Sequence, residues 1–245
     1  MNDLFDQYPK VRPILPKVYT EIYSSHYESN RKGYTPASSL SQRMEIWMHK
    51  EVAKDVIDQN EIKSTLEIGA GTLNQIKYES EVGPYDIVEP FKALFEGSTL
   101  VRRIRHIYSD ISMIPNNHKY DRITSVATFE HICNLPKVIA KCGILLQPSG
   151  ALRVAIPNEG RLLWTLSWKL TTGLEFKIKY GLDYGLLMSH EHVNQALEIE
   201  ELLDYFFRDI SCKFLGMTKS LSFYQFYMCK SPRMSRCHGC LSSMN

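Results

Sequence analysis

The chain has 245 residues, of which 44% are hydrophobic and 23% charged, and its 29 Lys and Arg nearly balance 27 Asp and Glu to leave a net charge of +2. That content can bury a sizeable core in one elaborated globular domain, and the balance argues against nucleic acid as a partner. No apolar run approaches the ~18 residues that cross a bilayer, and "MNDLFDQYPK" has no apolar signal core, so a cytoplasmic protein without a membrane span is expected.

Residues 1–39 carry Pro9, Pro13, Pro16 and Pro36 among Tyr8, Tyr19, Tyr23, Tyr27 and Tyr34, and read as an irregular arm with one short helix around "KVYTEIYSSHY". Residues 40–59 place Leu40, Met44, Trp47, Met48, Val52 and Val56 at helical spacing, with Ser39 as cap. From 63 to 157 short β-branched runs alternate with helical ones. The strands expected are "STLEI" (64–68), "YDIVE" (85–89), "RIRHIY" (103–108), "YDRITSVA" (120–127) and "GALRVAIP" (150–157). Such alternation predicts right-handed βαβ crossovers and a parallel sheet covered on both faces. Residues 158–195, with Trp164, Trp168 and "MSHEHVNQ", are too long for a connecting loop and read as a helical insertion. Helix "LEIEELLDYFF" follows, and "ISCKFLGMT" and "LSFYQFYMC" close as an antiparallel pair. The fold expected is therefore α/β, doubly wound, with a mostly parallel seven-stranded sheet, an N-terminal helical arm and an insertion after strand five. Residues 40–230 form the main domain and 231–245 a disordered tail. "CHGC" within that tail has no second cysteine pair to complete a zinc site.

In "STLEIGAGTLNQIK" a strand meets two glycines, Gly69 and Gly71, and is expected to enter a helix. A turn so bare lets a ligand reach backbone N–H groups. Asn74 stands where a nicotinamide fingerprint wants its third glycine. Acidic residues, Glu67, Glu89 and Asp110, end successive strands, and in a doubly wound sheet those ends border one crevice.

These stretches resemble the class I, Rossmann-like S-adenosylmethionine-dependent methyltransferases of the small-molecule type. "LEIGAG" is similar to the first family motif, "YDIVEP" to the second, "YSDIS" to the third and "YDRITSVATFEHI" to the fourth; "LQPSGALRVAIPNEG" resembles the loop and strand that follow. The resemblance implies S-adenosylmethionine as cofactor. It implies that Glu67 meets the methionine amino group, that Gly69, Ala70 and Gly71 let the methionine portion lie on the backbone, and that Glu89 accepts from the ribose hydroxyls. It further implies that Asp110 accepts from the adenine amino group and that Ile111 adds a backbone and apolar contact. Leu73 departs from the pattern, since many members have glycine there.

A hydroxyl acceptor benefits from a base near neutral pKa, which favours histidine. His131 in "FEHI" follows strand four and is the first candidate; His190 and His192, inside the insertion, are the others. Three histidines also admit a metal, though none is expected. The tyrosine-rich arm and the insertion around Trp164 and Trp168 read as lid and pocket walls, and they equally offer a homodimer contact. The function expected is methyl transfer to an oxygen, rather than a nitrogen, of a small molecule such as a sugar, nucleotide-sugar or glycolipid. A methyltransferase-like scaffold without turnover and a nicotinamide oxidoreductase are the rivals.

Overall fold

A computed structural model of the chain describes residues 3–22, 36–57, 62–80 and 83–243. Five apolar runs lie side by side as parallel strands: β1 (Thr65–Ile68), β2 (Tyr85–Val88), β3 (His106–Tyr108), β4 (Tyr120–Val126) and β5 (Leu146–Pro157). β6 (Phe207–Gly216) and β7 (Ser222–Pro232) close the sheet, whose order is β3-β2-β1-β4-β5-β7-β6. β7 runs antiparallel to both its neighbours. This is the doubly wound, seven-stranded α/β sheet that the alternation predicts.

Besides helical residues 17–22, the helices among the described residues are α1 (Asp3–Asp6), α2 (Pro36–Ile57), α3 (Leu135–Leu145), α4 (Leu162–Trp168), α5 (Leu174–Tyr180), α6 (Tyr184–Glu191), α7 (Ala196–Phe206) and α8 (Met234–Ser243). Leu66, Ile68, Ile123, Leu152 and Val154 point to one face of the sheet, where α3 supplies Leu135, Ile139, Ile144 and Leu145. At ~25 cal/mol per Å² of apolar surface removed from water, this cluster dominates the favourable side of folding. The other face carries Met48 and Val52 of α2 against Ala155, Tyr224 and Phe226. Here two buried arginines tie the sheet to carbonyls on the inner side of α2. Arg153 donates from Nε to the Val52 carbonyl at 2.8 Å and from Nη2 to the Glu51 carbonyl at 2.6 Å, while Arg122 of β4 reaches Val52 at 2.9 Å and pairs with Glu79 and Asp55.

Several boundaries differ from the sequence reading. α2 starts at Pro36, so Ser39 lies inside it rather than capping it. Residues 17–22 of the arm are helical; Tyr23, Tyr27 and Tyr34, like 58–59 at the end of the expected helix 40–59, fall outside the described residues. No α-helix follows the glycine turn: Gln75–Lys77 makes only a 3₁₀ turn, as do Lys92–Leu94 and Thr99–Arg103 after β2. The carbonyls that an α-helix would use internally are taken elsewhere, since Arg103 donates to Ile76 O and to Ser80 O, each at 2.7 Å. The same turn shortens β3 to three residues. β5 begins earlier than expected, with Leu146 opposite Tyr120 before a register irregularity.

The C-terminal segment is also corrected. Residues expected to fray form α8, whose Cys237 is buried against α3. A Cβ on Gly143 would stand 2.7 Å from Cys237 Sγ, so only glycine lets the two helices approach this closely. Among the described residues no helix is long and apolar enough to cross a membrane.

Candidate active site

The carboxyl ends of β1 to β5 form one rim, because Ile68 is in register with Val88 and Ser125, Val88 with Tyr108, and Val126 with Ala155. Gly69 (φ +74°) and Gly71 (φ +50°) turn the chain out of β1 through left-handed conformations. A side chain at Gly69 would also strike the Thr128 side chain. Leu73 takes φ +62°, a costly choice for a branched residue, and its side chain is fully buried among Ile76, Tyr85, Ile87 and Phe95. The leucine therefore turns into the core and leaves the bare turn clear. Ala127, where β4 ends, holds φ +47°. Strain of this kind persists only where surrounding structure imposes it, and it concentrates at functional sites.

Glu89 joins the two loops. Its Oε2 accepts from Gly71 N at 2.8 Å and its Oε1 from Phe91 N at 2.9 Å, which leaves lone pairs on both oxygens. Asp110 is exposed and caps the following turn, accepting from Ser112 N at 2.7 Å; Ile111 beside it is buried. Glu89, Asp110, Ile111, Ala70 and the glycines thus share the rim. Glu67 does not join them. Its side chain lies one residue inside, bonded to Tyr85 Oη at 2.8 Å, and burial pushes its pKa up to about 8. Asp121, at the start of β4, accepts from Ser64 N and Oγ at 2.8 and 2.7 Å.

The β4–β5 half of the rim holds a cluster of side chains. Glu130, His131 and His192 each offer an atom within 4.8 Å of the other two. His192 Nδ1 lies 2.7 Å from Glu159 Oε2, which also accepts from the Trp164 indole N–H. A carboxylate cannot donate, so Nδ1 carries the hydrogen and Nε2 keeps a lone pair when the ring is neutral. Burial opposes charge on His192, but the bond to Glu159 and the nearby Glu130 raise its pKa above the usual value. His131 Nδ1 donates to the Glu191 carbonyl at 2.9 Å, which likewise leaves Nε2 as its basic atom. Its ring meets His192 edge-on with centroids 4.8 Å apart. Burial raises Glu130 to about 7, partly offset by His192, and its buried Oε2 has no hydrogen-bond partner among the described residues. One carboxylate and two imidazoles could also ligate a metal, although bonds near 2.0–2.2 Å would require the three groups to close in.

His190 is not in this cluster. Its Nδ1 donates to the Pro13 carbonyl at 2.7 Å, on the arm. The arm acts as a strap: Arg12 donates to the His190 and His131 carbonyls at 2.7 Å each, and Lys10 Nζ to the Val193 carbonyl at 2.9 Å. Buried Asn194 ties strap, β4 loop and insertion together, accepting from Tyr8 Oη at 3.0 Å and donating to the Phe129 and Ile132 carbonyls at 2.8 Å. Sequence reasoning missed Glu159, Asn194 and Arg12 as members of the site. "PNEG" at the end of β5 was the available signal for Glu159; the other two join only through contacts spanning more than 60 residues.

Neither a protein-family model nor a curated protein sequence matches the chain. Solved structures do. One is a SAM-dependent methyltransferase of Thermotoga maritima, a possible histamine N-methyltransferase, at 14% identity over 87% of this chain and 97% of that one, TM-score 0.53. A second is the plantazolicin methyltransferase BpumL in complex with SAH, at 14% identity over 88% and 91%, TM-score 0.57. A third is a possible exported protein of Bordetella parapertussis, at 12% identity over 94% and 77%, TM-score 0.58. At such identities a likeness speaks for the fold alone, and the fold of this chain is that of the class I, Rossmann-like SAM-dependent methyltransferases.

Proposed function

We propose that the chain is an enzyme that transfers the methyl group of S-adenosylmethionine to an oxygen, rather than a nitrogen, of a small molecule, with sugars, nucleotide-sugars and glycolipids the first acceptors to test. The observation that carries this reading is the shared rim. A glycine turn flanked by Glu89 and Asp110 lies beside a histidine oriented by a carboxylate.

The residues fit the cofactor. Gly69 to Gly71 present backbone with no bulky side chain, Leu73 is turned away, and Glu89 has spare lone pairs for two vicinal hydroxyls. Asp110 and Ile111 would border the base. Glu67, neutral and bonded to Tyr85, braces the strand beneath the turn rather than meeting the ligand. Bound there, the cofactor supplies a sulfonium methyl that is already activated. The chain's own task is to align an acceptor, exclude water and accept a proton.

His192 is best placed for the proton. Glu159 fixes its tautomer and stabilises the charged ring, as the carboxylate does in acid–base dyads generally. His131 and Glu130 stand within reach to hold the acceptor or to pass the proton onward. The strap through Arg12, Lys10 and Tyr8 covers the cluster and keeps the β4 loop against the insertion.

Calorimetric titration with S-adenosylhomocysteine, alongside NADH, tests the proposal, followed by a panel of hydroxylated acceptors. Micromolar binding of the first ligand only, with turnover on one acceptor, is expected. Binding without any turnover would favour a scaffold, and binding of NADH alone an oxidoreductase.

A further inference from the structure

The insertion presents an apolar ridge that methyl transfer does not use. Leu162, Leu166, Leu170, Leu174 and Ile178 are between 43% and 77% exposed and recur every fourth residue through α4, a π turn at Lys169–Gly173, and α5. On a regular α-helix such a series would wind around the axis, because four residues overshoot the 3.6-residue turn by about 40° at each step. The π turn, bonded i to i+5, fits more residues into a turn, so steps across it fall back and hold the ridge toward one side. The opposite side is anchored: Phe176 is buried with Tyr19 and Leu187, and Trp164 packs edge-on against Tyr224.

Charge accompanies the ridge. Lys169, Lys177 and Lys179 are exposed, and residues 161–180 carry four basic side chains against the single Glu175, in a chain whose net charge is only +2. Amphipathic helices of this composition, apolar on one side with lysines at its margins, lie in the headgroup plane of a membrane. A second copy of the chain suits the face less well, since two-fold pairing would oppose the same lysines.

We infer that the ridge docks on an anionic lipid bilayer, with α4 and α5 in the plane of the headgroups and the lysine ammonium groups among the phosphates. Docking does not depend on the methyl-transfer reading.

Co-sedimentation of the full chain with vesicles of phosphatidylcholine alone, and of phosphatidylcholine mixed with phosphatidylserine, tests this. Binding to the mixed vesicles that weakens with salt is expected. It should fall by about fivefold for each of Lys169→Gln, Lys177→Gln and Lys179→Gln, and be lost in Leu170→Glu/Ile178→Glu. These side chains are exposed, so an unchanged thermal melt will show that the variants fold. No binding to mixed vesicles, equal binding by Leu170→Glu/Ile178→Glu, or a dimer in sedimentation that this variant dissociates would overturn the inference.

Discussion

The β1–β3 half of the rim is made chiefly of backbone and the β4–β5 half of side chains. In the first, Gly69 and Gly71 expose the main chain and one carboxylate, Glu89, ties neighbouring loops within 2.9 Å. In the second, Glu130 and His131 from the turn after β4, Glu159 from just past β5 and His192 from the end of the insertion meet, and Arg12 of the arm bonds beside them. A backbone cradle suits a ligand that is the same in every turnover. A cluster of titratable side chains suits the variable partner and its proton.

That contrast makes the two halves separable by mutation. His192→Ala should lower turnover by roughly 10²–10⁴-fold, the range for loss of a general base, with S-adenosylhomocysteine affinity unchanged. A rate unaffected at saturating cofactor would remove His192 from the chemistry, and a matching loss in His131→Ala instead would move the role to its neighbour. Glu89→Ala should do the reverse, weakening cofactor affinity by ~1–3 kcal/mol in calorimetry while leaving turnover at saturation within a few-fold, because donors lose a charged acceptor. Unchanged affinity would break the assignment of the β1–β3 half.

Gly69→Ala should cost ~1–2 kcal/mol of stability from the left-handed backbone alone, and more from the contact with Thr128, measured by denaturant unfolding. The double variant with Thr128→Ala should recover only the second part. An effect of pH is expected as well. Glu67 has its folded pKa raised to about 8 from an ordinary value of 4.5, so between those values the folded chain binds a proton that the unfolded chain does not. Stability contributed by this group therefore falls as pH rises, by at most ~1.4 kcal/mol per pH unit. Glu67→Gln, which keeps a partner for Tyr85, should flatten that slope between pH 5 and pH 8, and an unaltered slope would count against a neutral Glu67. The smallest effect is the absence of one. With proton transfer carried by His192 and Glu159, a chelator should leave turnover unchanged, whereas loss restored by a divalent cation would make Glu130, His131 and His192 ligands instead.

The same division explains what could be read in advance. Strand positions in "TLEI", "YDIV" and "YDRITSV" follow from β-branched runs, and Gly69 and Gly71 from the turn that ends the first. Crossover helices were expected between β1 and β3, but among the described residues only 3₁₀ turns form there, where Arg103 reaches back to the Ile76 and Ser80 carbonyls. The tail was misjudged because its helix forms around Cys237 and the space above Gly143, a contact between residues about a hundred positions apart. Glu67 looked like its acidic companions, but β1 sends it toward Tyr85 while Glu89 and Asp110 reach the rim.

By itself the sequence determined the succession of strands, the doubly wound class and the glycine turn of the rim, since hydrophobic period, β-branching and glycine act over a few neighbouring residues. Only the tertiary structure decided that His192 rather than His190 joins His131, that Glu159 orients it, and that the arm bonds to the β4 loop and the end of the insertion. Those choices rest on hydrogen bonds such as Tyr8 to Asn194, between residues 186 positions apart. Local propensity carries no information about such pairings; they are set when the sheet brings the ends of β4 and β5 together.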